Sequence, residues 1–279
     1  MSDASEITVE AAGVPVHVRR VGSGPNVLFM HGVYVNGSVW DDVVDLLQGE
    51  ATCWVPTLPL GGHDQPLGPD WQPTLESIGD MTLDLIDALE LSDVTVVGND
   101  SGGGFVLLAL ASDRPAVSKI SRLVLTNCDS YDHLPPTSFN PLIDLCRQDP
   151  AAARGQLQPM LFSDAGREQF MGSIASKHLS SDRINAMFGN EAVLDDVVKV
   201  TATLKPSPVQ QAMAWLSEVQ IPTDLVWGDA DVFFPPSDCD RLAAALPNTT
   251  VTWLPGAKTY TQLDAPDELA RVIRKSPAT

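Results

Sequence analysis

The apolar residues of this chain fall into short runs separated by turn-forming residues, and these runs alternate with segments of helical spacing. Residues Ile7 to Arg20 (ITVEAAGVPVHVRR) alternate apolar and polar, which predicts a β hairpin turning at Gly13 and Pro15. Asn26 to Met30 (NVLFM) is a continuous apolar run that stops at His31-Gly32, as a buried parallel strand does where it leaves a sheet. Trp40 to Leu47 has helical spacing, Ala51 to Pro56 is apolar again, and LPLGGHDQPLGPD is rich in turn formers. Leu75, Ile78, Leu85, Ile86 and Leu89 mark one face of a helix that leads into a strand at Val94 to Val97. A glycine-rich turn and the helix formers Phe105 to Ala111 come next. Strands are then predicted over Ile120 to Thr126, Asp224 to Trp227 and Thr250 to Leu254, with a last helix from about Pro266.

Strands that alternate with helices predict a mostly parallel sheet covered on both faces, an α/β fold. The segment from Asp129 to Ser217, helix-rich and punctuated by proline, is too long for an ordinary crossover. It reads as an inserted helical cap, which divides the chain into a core of residues 1–128 and 218–279 and a cap of residues 129–217. Such a cap is expected to cover the carboxyl ends of the strands, where open α/β sheets hold their ligands.

The composition fits this outline. A chain of 279 residues with 44% hydrophobic and 19% charged content suits one large domain or a core with an insertion, and argues against disorder. Lys and Arg number 17 against 36 Asp and Glu, and the net charge of −19 repels phosphate backbones and anionic membrane surfaces. A small-molecule substrate is therefore expected, with no nucleic-acid or membrane partner, and strongly anionic substrates are disfavoured. The opening MSDASEITVE has neither a basic nor an apolar leader region, and the longest apolar run, Phe105 to Ala111, is too short to span a bilayer. A cytoplasmic location is expected on that ground. Cys53, Cys128, Cys146 and Cys239 are scattered without metal-binding or disulfide spacing and read as buried thiols; no metal or cofactor is expected.

The most informative stretch is VTVVGNDSGGG, a strand, a tight turn and the start of a helix. A nucleophile elbow needs small residues two positions before and two after its nucleophile, because the strained turn leaves no room for side chains there. With Asp100 at the centre the flanking residues are Gly98 and Gly102; with Ser101 they are Asn99 and Gly103. The aspartate frame is sterically better, against the alternative that Asp100 simply caps the following helix. The frame decides the chemistry. A carboxylate attacks sp3 carbon and leaves an ester for water to cleave, whereas a serine attacks acyl carbon.

In FMHG (Phe29 to Gly32), VVGNDSGG (Val96 to Gly103), VWGDAD (Val226 to Asp231) and the stretch Pro255 to Pro266, the chain resembles the α/β-hydrolases. It is most similar to the branch with aspartate at the elbow, which includes haloalkane dehalogenases and epoxide hydrolases. The resemblance covers nearly the whole chain outside the cap. It implies Asp100 as nucleophile, Asp231 as the carboxylate that orients a catalytic imidazole, and the N–H groups of Val33 and Ser101 as an oxyanion hole. His31 is then structural, and Asp129 lies near the alternative acid position of some dehalogenases.

The chain departs from the pattern where the family places its histidine. Thr259 occupies that position, and a threonine cannot accept a proton at neutral pH. His63 in the GGHDQP loop and His133 at the start of the cap are the candidates to replace it, together with Asp129, Tyr34 and Tyr260 as substitute acids or bases. His17 reads as a surface residue, and His178 has no motif around it. Dehalogenases carry side-chain N–H groups where this chain has Ser101 and Val33, and the paired cap tyrosines of epoxide hydrolases reduce here to Tyr131. The leading expectation is an enzyme that uses Asp100 on a small, largely apolar substrate, such as an epoxide or a related electrophilic carbon. The alternatives are a non-hydrolytic acid/base enzyme that opens epoxides or closes rings, and a ligand-binding protein without catalysis. A serine esterase built on Ser101 comes last.

Overall fold

The computed structural model describes residues 4–131, 133, 135–204, 213 and 215–275. Eight strands form one sheet: β1 (Ala4–Ala11), β2 (Val14–Gly22), β3 (Asn26–Met30), β4 (Thr52–Thr57), β5 (Val94–Asp100), β6 (Ile120–Cys128), β7 (Thr223–Gly228) and β8 (Thr249–Leu254). Their spatial order is β1-β2-β4-β3-β5-β6-β7-β8. β2 pairs antiparallel with β1 and with β4, and the remaining neighbours are parallel. This is the α/β-hydrolase fold expected from the sequence.

The hairpin turns at Ala12 and Gly13, both at positive φ, rather than at Gly13 and Pro15. Pro15 lies inside β2, opposite Glu10 and beyond the stretch where β2 pairs with β4, so the sheet does not need its missing N–H on that side. β3 is apolar from Val27 to Met30, and β5 carries Val94, Val96 and Val97, because helices cover both faces of the central sheet. Those helices are α1 (Asp41–Leu47), α2 (Leu75–Ala88) and α3 (Ser101–Ala109), with further helices after β7 and β8. α3 begins at Ser101, four residues ahead of the predicted Phe105, because the turn passes directly from strand into helix.

Between β6 and β7 the described residues contain α4 (Asn140–Gln148), α5 (Pro150–Phe162), α6 (Asp164–Ile174), α7 (Ser181–Ala186) and α8 (Leu194–Thr203). Part of the predicted cap, residues 205–212 and 214 among them, falls outside the described residues. Beyond β7 come α9 (Pro236–Ala245), which the sequence reading did not anticipate, a short α10 (Thr261–Asp264) and α11 (Pro266–Arg274). The four cysteines are free and buried, as expected. No helix among the described residues is long and apolar enough to cross a membrane.

Candidate active site

The turn from β5 into α3 places Asp100 at φ 54° and ψ −136°, a backbone region that side chains other than glycine rarely adopt. Its side chain does not cap α3, which removes the capping alternative. The tight packing explains the small residues around it. A Cβ on Gly98 would stand 2.7 Å from the Cα of Gly103, and one on Gly102 would stand 2.4 Å from the carbonyl oxygen of Met30. A Cβ on Gly32 would stand 2.0 Å from Asp100 Oδ2, so the His31-Gly32 backbone lies against the carboxylate.

Asp100 faces a narrow cavity with about 30 Å³ of open interior, room for about two water-sized molecules. Apart from Asp100, Ser101 and Thr259, the described residues of its walls are apolar or aromatic. Val33 and Tyr34 come from the loop after β3, Phe233 and Phe234 from the loop after β7, and Phe139, Phe170, Ile174 and Leu204 from the helical segment between β6 and β7. Val33 and Ser101 both border the cavity beside Asp100. As the first residue of α3, Ser101 has no intrahelical acceptor for its N–H, and the Val33 N–H donates to no backbone group among the described residues.

Burial pushes the Asp100 carboxyl up to about 7; the Ser101 N–H favours its charge, and the nearby Asp231 disfavours it. Asp231 Oδ1 accepts from Thr259 Oγ1 at 2.9 Å and from the Phe233 N–H at 2.8 Å, and Oδ2 accepts from Asn127 Nδ2 at 2.8 Å. Burial raises its pKa, and these donors oppose the rise. Thr259 thus stands on the cavity wall with its hydroxyl on Asp231.

The other sequence candidates lie as follows. His31 is buried, with Nδ1 on the Gly32 carbonyl at 2.8 Å and Nε2 accepting from the Leu58 N–H at 2.8 Å; burial lowers its pKa to about 4. It is a neutral brace. His63 is buried away from the cavity, with Nε2 3.3 Å from Asp196 on α8 and Nδ1 accepting from the Gly61 N–H. The sequence offers His63 as a candidate to replace the missing histidine, but its contact with α8 buries it away from the cavity. His133 does not line the cavity either, and its Nδ1 is 2.6 Å from Asp238 Oδ2. His17 and His178 are exposed.

The ring of Tyr34 lines the cavity, but its hydroxyl is 3.0 Å from Thr201 Oγ1. Thr201 gives its own proton to the Val197 carbonyl, so Tyr34 is the donor and its proton is already engaged. Tyr260 is buried with no partner for its hydroxyl among the described residues. Asp129 is wholly buried just behind the elbow; its N–H donates to the Asp100 carbonyl at 3.2 Å, and neither carboxyl oxygen has a hydrogen-bond partner among the described residues. No group of His, Cys, Asp and Glu among the described residues could hold a metal ion.

The sequence reading missed the amide network beneath the site. Asn99 Nδ2 donates to the carbonyls of Thr126, Asn127 and Thr259, and Asn99 Oδ1 accepts from Gln262 Nε2 at 2.8 Å. Asn127 also accepts from the Gly228 N–H at 2.6 Å, so β5, β6, β7 and the loop of Thr259 are tied together directly under Asp100 and Asp231. The one sequence signal was a polar residue, Asn99, at the end of an otherwise apolar strand.

A model of the alpha/beta hydrolase family matches residues 27–272, which includes every motif of the site. The chain belongs to the alpha/beta hydrolase family. Within it, the chain is 26% identical over 263 residues to haloalkane dehalogenase 2 of Mycobacterium tuberculosis, spanning 92% of this chain and 90% of that protein. It is also 25% identical over 270 residues to an uncharacterised protein of the same bacterium, over 92% of this chain and 76% of that protein. The solved haloalkane dehalogenase of Bradyrhizobium elkani superposes with a TM-score of 0.76 at 20% identity, over 97% of this chain and 96% of that one. That last likeness speaks for the fold alone. The family and its dehalogenase-like relatives make the chain a hydrolase-type enzyme.

Proposed function

We propose that this alpha/beta hydrolase uses the Asp100 carboxylate as a nucleophile on an electrophilic sp3 carbon of a small, largely apolar substrate, an epoxide or a related alkylating molecule. The observation that carries the reading is the placement of Asp100: strained, not capping its helix, pressed by the Gly32 backbone and open to an apolar cavity. Bond formation from carboxylate oxygen to carbon requires such a desolvated, pre-positioned nucleophile. The N–H groups of Val33 and Ser101, the latter already directed at the Asp100 carboxyl, would hold the oxyanion when water later attacks the ester carbonyl. In this reading residues 1–128 and 218–279 act as the core and 129–217 as a cap that supplies the apolar cavity wall.

The named relatives that are haloalkane dehalogenases support carbon as the site of attack, but among the described residues the cavity wall offers a departing halide no side-chain N–H. An epoxide fits better, since its leaving oxygen stays attached to the product and needs only a proton. The absence of an imidazole beside Asp231 leaves the second step, ester hydrolysis, slow. A second reading, in which Asp100 is a general acid or base for ring opening or closure, is favoured by its titration near neutrality.

Intact-protein mass spectrometry after incubation with small epoxides, alkyl bromides and activated esters separates these readings. A long-lived alkyl adduct on Asp100, absent from Asp100→Asn, is expected. Turnover without any adduct supports the acid/base reading, and acylation of Ser101 by the ester overturns the aspartate frame.

A further inference from the structure

We propose that Asp129 is a second, proton-bearing carboxyl of the site, which acts through the hydroxyl of Ser101 to protonate the leaving oxygen of the substrate. The inference rests on Asp100 as nucleophile and adds the acid that ring opening requires.

Asp129 has no exposed surface, and neither of its oxygens has a hydrogen-bond partner among the described residues. Among the described residues no salt bridge reaches it. The groups facing it are the elbow residues Asp100 and Ser101, the thiol of its neighbour Cys128, and Asp238 of α9 with its partner His133. An ionised carboxylate with orphaned oxygens between two other carboxylates is costly to bury, so Asp129 holds a proton. Its pKa is raised well above the usual range, first by burial and then by the charge of Asp100.

Ser101 connects this proton to the cavity. Its hydroxyl favours the ionised form of Asp129 and so partly offsets the rise in its pKa, although no formed hydrogen bond joins the two. The same residue borders the cavity beside Asp100. The division of labour follows from environment. Asp129, sealed off, keeps the proton, and Asp100, open to the cavity and beside the Ser101 N–H, carries the charge, as in other paired carboxyls.

The steps balance. An Asp100 oxygen forms a bond to an epoxide carbon as that carbon's bond to the ring oxygen breaks; the ring oxygen takes the Ser101 hydroxyl proton, and Ser101 takes the proton of Asp129. The result is a hydroxyalkyl ester and an Asp129 carboxylate. When water adds to the ester carbonyl, one of its protons returns to Asp129 through Ser101. The tetrahedral intermediate then expels the diol oxygen with the other proton and regenerates the Asp100 carboxylate. An alkyl bromide needs no acid in its first step, because bromide leaves as an anion.

Two measurements on the full chain test this. The first is alkylation of Asp100 followed by intact mass, with epoxyethane and bromoethane as probes. Asp129→Asn is expected to slow the epoxide reaction by about 10²–10⁴-fold, the usual worth of a positioned acid. The bromide reaction should stay within a few-fold. Ser101→Ala should give the same selective loss, and it carries the test if Asp129→Asn does not fold. Equal slowing of both probes, or of neither, overturns the proposal. The second measurement is infrared spectroscopy of the unliganded protein about one pH unit above the Asp100 value. A protonated-carboxyl stretch should be present in the wild type and absent in Asp129→Asn; a wild type without it overturns the proposal whatever the kinetics. If neither probe labels Asp100 in the wild type, the nucleophile reading fails. The infrared band then decides separately whether Asp129 holds a proton, and the acid role falls with the nucleophile.

Discussion

At the scale of single residues, the proposed nucleophile Asp100 has a raised pKa and stands near a hydroxyl, that of Thr259, where the proposal would need a base. Only ionised Asp100 can attack carbon, and its carboxyl is pushed up to about 7. The rate of alkylation by bromoethane should therefore rise with pH through about 7 and level off above it; a rate independent of pH between about 5 and 9 would show that Asp100 is not the reacting group. The ester, once formed, meets Thr259 rather than an imidazole. Because Thr259 Oγ1 already donates to Asp231, Thr259→His would place an imidazole N–H on the same carboxylate, with its other nitrogen toward the cavity. Decay of the Asp100 ester should accelerate by about 10²–10⁴-fold. The smallest epoxide is the probe to use, since the imidazole would share a cavity with about 30 Å³ of open interior. An adduct lifetime unchanged in a folded Thr259→His protein would argue for the acid/base reading.

At the scale of elements, the strand–turn–helix around Asp100 separates chemistry from stability. The three atoms nearest a Cβ on Gly32 all belong to the Asp100 side chain, whereas a Cβ on Gly102 meets the backbone carbonyls of Met30 and His31 at 2.4 and 2.6 Å. Gly32→Ala should therefore leave the urea midpoint nearly unchanged while abolishing alkylation, and Gly102→Ala should cost about 1–3 kcal/mol by forcing α3 away from β3. If both variants lose the same stability and the same reactivity, the elbow is not packed as described. The spacing of Gly98 and Gly102 around Asp100 was legible in the sequence, because it is a local steric requirement; the contact of Gly32 with Asp100 was not, because it joins residues distant in sequence. The strands were equally legible, since burial on both faces leaves apolar stretches at residues 27–30 of β3, 96–97 of β5 and 123–125 of β6. α9 was not, because Pro235 and Pro236 stand at its start and its first turns carry Ser237, Asp238 and Asp240, a pattern dominated by turn formers until β7 and β8 hold it in place. The fates of His63 and Tyr34 were hidden for a different reason. Each is fixed by a residue of α8 more than a hundred positions away, Asp196 and Thr201, and no local pattern carries such a pairing.

At the scale of the whole molecule, the acidic balance and the buried carboxyls act on stability in the same direction. Asp100, Asp129 and Asp231 all have pKa values raised by burial, so the folded chain holds protons that the unfolded chain releases above about 4. Such groups contribute stability below the unfolded carboxylate pKa, and that contribution is lost as pH rises toward the folded value. For Asp100 the window runs from 3.8 to about 7, and for Asp129 it extends further. The net charge of −19 adds self-repulsion that salt screens. Unfolding free energy from urea titration, at a fixed ionic strength of about 0.15 M, should therefore fall by a few kcal/mol between about pH 5 and pH 8. Exposed carboxylates are ionised in both states over that range and cancel. Asp100→Asn combined with Asp129→Asn keeps the shape of both side chains and removes both titrations, so its stability should change much less over the same range. Added salt should raise both proteins alike, because the surface charge is common to them. A wild-type stability that rises from pH 5 to pH 8, or a double variant with an unchanged slope, would mean that these carboxyls are not the protonated groups of the fold, and the division of charge between Asp100 and Asp129 would fall with them.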